Sequence, residues 1–406
     1  MEYKKEKGGI CAAAGFKAAG IHCGIRKNKE KKDLALIYSE KECSAAAVYT
    51  KNKVFGAPII VTREHLKNGR ARAVIANSGN ANTCNADGVE KARYMTKLAA
   101  EALGIEQSDV IVASTGVIGF PLDVTPIEKG IDELAAALCS NGSQDAANGI
   151  MTTDTAVKEV AYSFELGGKK VTLGAIAKGS GMICPNLATM LCFMTTDAAI
   201  SPKTLQKALC ETVSDTFNMV SIDGDSSTND TVAVLANGAA GNKEITGANA
   251  DYKIFTKALK LVSTEISKKI AKDGEGATKL LECNVVGAKS DEDAKKLAKA
   301  VISSSLVKCA MFGADANWGR ELCAMGYSGA RFNANNVDVC FKSAKGEIAV
   351  CKGSFGVEFS EKKAKEILLK DEIQINITLH DGKAAATAWG CDLTYDYVKI
   401  NGDYRT

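Results

Sequence analysis

The stretch Ala177 to Ala198, AKGSGMICPNLATMLCFMTTDA, decides how this chain is read. A flexible Gly-Ser-Gly and a Pro precede an apolar, strand-like run that is entered by a hydroxyl residue, Thr189. Taken alone, a Thr at a strand start is an ordinary β-former. The rest of the nucleophile inventory changes the weighing. Only His22, His65 and His380 are present, and none sits near a Ser or Cys in a triad signature, so a histidine-based triad is poorly supported. The remaining way to activate a hydroxyl is to cut the chain before it, so that the freed α-amine serves as its own base. An α-amine with a pKa of about 7.7 to 8.0 suits that task at cellular pH. Thr189 behind the small Ala188 fits this scheme.

Working outward, the 406 residues with 46% hydrophobic content are enough for a substantial core in one large or two smaller domains. The formal net charge is only +3 and the basic residues are scattered, so no stripe tracks phosphates and nucleic acid is not an expected partner. Fourteen cysteines run from Cys11 to Cys391 without a CxxC or CxxH pair, a pattern expected of reduced, mostly buried thiols. The start, MEYKKEKGGICAAAGFKAAG, has no continuous apolar region of signal-peptide length. No segment approaches the roughly 20 apolar residues that span a bilayer, so the expected home is the cytoplasm, away from membranes.

Short β-rich runs dominate the first third: Leu34 to Tyr38, Ala45 to Tyr49, Pro58 to Thr62, Ala73 to Ala76 and Val110 to Ala113. Helices are expected after Thr125-Pro126, with Thr125 as cap, after Ser201-Pro202, from about Tyr252 to Ile270, and behind a capping box of Ser290 and Asp293. Later strands are expected at Thr231 to Leu235, Val337 to Phe341, Ile373 to Leu379 and Ala384 to Trp389. Strands and helices mix without regular βαβ alternation, which favours a layered α+β fold.

Three features are set aside. GEGATK at Gly274 to Lys279 lacks the spacing of a phosphate loop. Asp223, Asp225 and Asp230 lack the spacing and final Glu of a calcium loop, so this segment is expected to form structural turns near the active site, and no metal site is expected. Cys184 and Cys192 have no nearby His or basic flank and are expected to pack.

The stretch KGSGMICPNLATMLCFMTTDA resembles the cleavage-site motif of the ornithine acetyltransferase (glutamate N-acetyltransferase) family of arginine biosynthesis. The resemblance extends through NSGNANTCNA at Asn77 to Ala86, ASTGVIG at Ala113 to Gly119, IMTTDT at Ile150 to Thr155 and SIDGDSSTNDT at Ser221 to Thr231. It continues in DGEGATK at Asp273 to Lys279, GADANWGR at Gly313 to Arg320 and the ending YDYVKINGDYRT, and so covers essentially the whole chain.

The resemblance implies a layered αββα sandwich and an N-terminal-nucleophile mechanism. It implies self-cleavage between Ala188 and Thr189 into an alpha chain, 1–188, and a beta chain, 189–406, with two of each in a heterotetramer. Thr189 is then the acyl acceptor, Thr115 and Gly116 the oxyanion hole, and Thr152, Lys178, Thr189, Glu275, Asn401 and Thr406 the substrate-binding residues. The implied reaction carries acetyl from N2-acetyl-L-ornithine to L-glutamate without metal or organic cofactor, and leaves acetyl-CoA open as a co-substrate. Lys178 and Glu275 would supply the cation and anion that an amino-acid substrate needs, where otherwise both are expected in solvent. An amidohydrolase or aminopeptidase with the same kind of nucleophile, resolving the acyl-enzyme with water, is the nearest alternative. A non-catalytic binding protein would instead leave the chain intact.

Overall fold

The computed structural model describes residues 2–184 and 190–403. Ala188, Thr189 and Thr406, each given a role above, lie outside the described residues.

One long strand sets the layers. Leu34–Tyr49 runs 16 residues and loses register between Tyr38 and Cys43 against its neighbour Arg70–Asn80. Its first half pairs with Phe16–Ile21 and Arg70–Asn80, its second half with Thr231–Ala236. The strand therefore belongs to both halves of a nine-stranded sheet. Along that sheet the order is Lys4–Glu6, Lys158–Leu166, Lys169–Lys178, Leu191–Thr196, Thr231–Ala236, Leu34–Tyr49, Arg70–Asn80 and Val110–Val117.

Side chains alternate across a strand, so each half has an inner and an outer face. Ala35, Ile37, Val74 and Ala76 of one half share an apolar cluster with Ala45, Ala47, Ile176, Phe193 and Leu235 of the other. On the outer face of the first half, Leu34, Leu36, Ile75 and Val112 cluster with Met95, Leu98, Ile127 and Ile131 of helices Gly88–Leu103 and Thr125–Ala136. On the outer face of the second half, Leu173, Met194, Val232 and Val234 cluster with Leu205, Leu209, Phe255 and Leu259 of helices Pro202–Asp215 and Ala250–Lys272. The layers read helix, sheet, sheet, helix, which bears out the expected αββα sandwich.

A second sheet of seven strands lies beyond. Its order is Phe355–Gly356, Gly346–Lys352, Val337–Ser343, Glu372–Leu379, Leu280–Ala288, Ala384–Cys391 and Val220–Ser221. Helix Ala250–Lys272 contacts strands of both sheets, and one continuous apolar core joins them. Among the described residues no helix is long and apolar enough to cross a membrane.

Most expected elements stand, and four details differ. Leu34–Tyr49 is one strand, not two, because the irregularity between Tyr38 and Cys43 shifts its register against Arg70–Asn80 without ending it. Pro58 to Thr62 is not a strand but part of helix Ala57–His65. Pro58 sits in the first turn, where its missing N–H costs no hydrogen bond. There Thr62 Oγ1 donates to Val112 O at 2.7 Å and accepts from Val112 N at 2.9 Å, so the helix satisfies the edge of strand Val110–Val117. Ser290 does cap its helix, accepting from Asp293 N at 3.1 Å. Thr125 does not: it lies inside its helix behind Val124, and Asp123 accepts its N–H instead. All fourteen cysteines are free thiols, but only Cys43, Cys192, Cys283, Cys351 and Cys391 are buried, so the expectation of mostly buried thiols is too strong.

Candidate active site

The site forms where the strands of the central layer end. Leu191–Thr196 is buried along its whole length, held antiparallel to Lys169–Lys178 on one side and parallel to Thr231–Ala236 on the other. Lys178 lies opposite Leu191, and Thr231 N donates to Met190 O at 2.9 Å. At this end a cavity of about 120 Å³ opens.

Its wall gathers residues from distant segments. Thr115 and Gly116 come from the end of Val110–Val117, Thr152 from the loop after helix Ser143–Ile150, Lys178 from its strand end, Glu275 from the loop after Ala250–Lys272, and Asn401 from helix Tyr395–Gly402. Met190 and Leu191 complete the wall beside them. Six residues named from the sequence are thus brought together. Thr189 and Thr406 fall outside the described residues.

Gly116 has φ of 134°, and a Cβ there would lie 2.3 Å from the carbonyl carbon of Gly79. Only glycine fits this close approach between neighbouring strands. Asn229 fixes the turn from behind: its Nδ2 donates to Ala81 O and to Ser114 O, while Thr83 Oγ1 donates to its Oδ1 at 2.6 Å. Backbone at this strand end is therefore held from two sides.

The charged residues are not solvated surface groups. Glu275 is buried, accepts from Asn401 Nδ2 at 2.7 Å, and has Gly181 packed so closely that a Cβ there would meet its carboxylate. Lys178 keeps some surface toward the cavity, yet burial of its ammonium dominates and lowers its pKa, opposed mainly by the Asp154 charge. Among the described residues no hydrogen-bond partner or ion pair within 4 Å is found for the Lys178 ammonium. Lys178 and Glu275 thus face a single small space.

Reasoning from sequence missed several wall residues. Thr153 lines the cavity, and so do Ser227, Thr228, Asn229 and Asp230. The Asp223 to Asp230 segment was expected to be structural turns, and Asp223 does act so, accepting from Met182 N and from Ile183 N at 2.8 Å. Asp230, however, is buried in the wall, and that burial pushes its pKa well up despite Lys178 nearby. The signal available was the placement of three hydroxyl or amide residues directly before a strand, since such residues end loops by hydrogen bonding. Cys192 is buried and burial raises its pKa, as expected of a packing thiol. No cluster of His, Cys, Asp or Glu able to hold a metal occurs among the described residues.

Layering and pocket together define an αββα sandwich whose candidate active site lies at the end of a central, buried strand. The chain belongs to the ArgJ family, whose model matches residues 17–406. The "Arginine biosynthesis bifunctional protein ArgJ" of Caldanaerobacter subterraneus subsp. tengcongensis is 52% identical over 393 residues, covering 97% of each chain. The protein of the same name from Bacillus subtilis is 48% identical over 404 residues, covering 99% of this chain and 98% of its own. Among solved structures, a chain of arginine biosynthesis bifunctional protein ArgJ from Bacillus halodurans is 46% identical with a TM-score of 0.49. It covers 52% of this chain and 97% of its own length. A chain of ornithine acetyltransferase from Mycobacterium tuberculosis, complexed with ornithine, is 34% identical with a TM-score of 0.43 and covers 46% of this chain and 100% of its own.

Proposed function

We propose that this enzyme transfers acetyl from N2-acetyl-L-ornithine to L-glutamate in arginine biosynthesis, through an acetyl ester on Thr189. The observation that carries this reading is the meeting of Thr115, Gly116, Thr152, Lys178, Glu275 and Asn401 around one cavity that Met190 also lines. Met190 is covalently next to Thr189, so the proposed nucleophile is one residue from that wall.

Cleavage between Ala188 and Thr189 frees the α-amine that activates the hydroxyl. The Thr189 Oγ then attacks the acetyl carbon of the donor while its own α-amine accepts the Oγ proton. Thr115 and the backbone N–H of Gly116 donate to the oxyanion of the tetrahedral intermediate. The C–N bond breaks, ornithine leaves with the proton on its α-amine, and Thr189 holds the acetyl as an ester. The amine of L-glutamate attacks that ester and restores the Thr189 hydroxyl. Lys178 takes the α-carboxylate of either amino acid, and Glu275 takes the δ-ammonium of ornithine, since a buried charge needs an opposite partner. No metal or organic cofactor has a step in this route.

Acetyl-CoA is a second donor to the same Thr189 in this reading, in keeping with the word bifunctional in the relatives' name. Two alpha and two beta chains form the working particle, in the cytoplasm. The test is formation of N-acetylglutamate from N-acetylornithine and from acetyl-CoA, measured side by side. Transfer from N-acetylornithine supports the reading, and release of free acetate without N-acetylglutamate would replace it with a hydrolase.

A further inference from the structure

Behind the cavity wall lies an ion network that the reaction above does not use. Lys158 is fully buried, and its Nζ donates to Asp154 Oδ1 at 2.6 Å and to Asp273 Oδ2 at 2.5 Å. Asp154 is buried too. Its Oδ2 accepts from Thr152 N at 3.0 Å, and its Oδ1 accepts from Gly179 N at 2.7 Å. Asp273 accepts from Thr155 N and Ala156 N, and its carbonyl accepts from Ser180 Oγ at 2.6 Å. Three walls of the cavity, at Thr152, at Lys178 and at Glu275, are each within two residues of a bond in this network.

We propose that Asp154 is a positioning residue for substrate binding: its carboxylate fixes the Thr152 loop against the Lys178–Gly179 strand end and keeps an anion behind the Lys178 ammonium. This rests on the reading that Lys178 takes the substrate α-carboxylate. Four charged groups act on Lys178: Asp154, Asp230, Lys158 and Glu275. Asp230 is buried, which pushes its carboxyl pKa well up, and Lys158 opposes the Lys178 charge. Glu275 acts least of the four, and its carboxylate is engaged by Asn401. Asp154 is ionised: burial works against its charge, but Lys158 and Lys178 overcome that and hold its pKa down at about 2. Its charge is therefore the strongest one opposing the effect of burial on the Lys178 ammonium.

The test compares Asp154→Asn, Asp154→Glu and Lys178→Met in the mature enzyme by titration calorimetry with L-ornithine between pH 6 and 8.5. Asp154→Asn leaves Lys158 paired with Asp273. Its affinity is expected to be about tenfold lower at pH 8 and to recover toward pH 6, because Lys178 loses its proton at a lower pH than in the wild type. Asp154→Glu keeps the charge but displaces the bonds to Thr152 and Gly179, so it should bind more weakly while retaining the wild-type pH dependence. Wild-type affinity and pH dependence in Asp154→Asn, with binding lost in Lys178→Met, would overturn the proposal while leaving the reading of Lys178 intact. Undiminished binding in Lys178→Met would remove that reading and the proposal with it. Should Asp154→Asn not fold, Asp154→Glu decides alone: weaker binding supports the proposal and unchanged affinity refutes it.

Discussion

Asn401 Nδ2 donates to Glu275 Oε2 at 2.7 Å, joining two residues 126 positions apart. The bond brings helix Tyr395–Gly402, which buries none of its residues, to a buried carboxylate in the cavity. Thr394 Oγ1 adds a second tie, donating to Gly276 O at 2.7 Å. A side chain on the outside of the molecule thus becomes part of the site because a buried anion holds it there.

Glu275→Gln keeps the volume and removes the charge. The value of kcat/KM for N-acetylornithine should fall by roughly 1.5 to 3 kcal/mol, the worth of a charge-assisted hydrogen bond. Deacetylation by glutamate, which lacks the δ-amine, should suffer less. Pre-acetylated enzyme mixed with glutamate isolates that half-reaction. An equal loss in both halves would mean that Glu275 supports the site as a whole instead of reading the ornithine side chain.

At the oxyanion turn, Thr115→Ala should lower kcat by roughly 10² to 10³ with little loss of ornithine binding. Turnover near the wild-type value would make Thr115 a turn residue. Gly116→Ala differs in kind. Its Cβ would strike the backbone of Gly79, so the loss of kcat should come with a lower Tm, by strain on the order of 1 to 3 kcal/mol.

Purified enzyme should run on a denaturing gel as two fragments, 1–188 and 189–406, and Thr189→Ala should run as one. The fragments should nevertheless co-migrate under native conditions. Strand Leu191–Thr196 is hydrogen-bonded to Lys169–Lys178, and Thr231–Ala236 to Leu34–Tyr49, so each fragment supplies strands to the same sheet. A full-length band in active enzyme would refute the cleavage mechanism. Separation of the fragments without denaturant would refute the shared sheet.

Outside the cavity wall, Glu321 is fully buried, and among the described residues neither carboxylate oxygen has a hydrogen-bond partner. Burial raises its pKa to about 8. The folded state therefore holds this proton more tightly than the unfolded chain, whose carboxyl titrates near 4.5. Stability from this group is full below pH 4.5 and is lost as pH rises toward 8, by on the order of 3 kcal/mol at pH 7. Glu321→Gln removes that loss, so its Tm should exceed the wild-type value at pH 7.5, with the gap closing at pH 5. A pH-independent difference between the two proteins would show that Glu321 is not titrating in this window.

The sequence by itself settled what local physics and a long motif match can settle. Ser201-Pro202 and the Ser290 to Asp293 box start helices where expected, because capping and proline geometry act within one turn. The strands expected at Thr231 to Leu235 and Val337 to Phe341 are found as Thr231–Ala236 and Val337–Ser343. Matching motifs, not periodicity, picked out Thr115, Lys178 and Glu275. Tertiary structure decided the rest. Ile59 and Val61 satisfy a two-residue period, yet Pro58 and the Thr62 clasp on Val112 make a helix of that segment. Asp154, Lys158 and Asp273 look in sequence like solvated charges. Only burial on folding forces them to compensate one another, and partners 115 residues apart leave no mark in a local pattern.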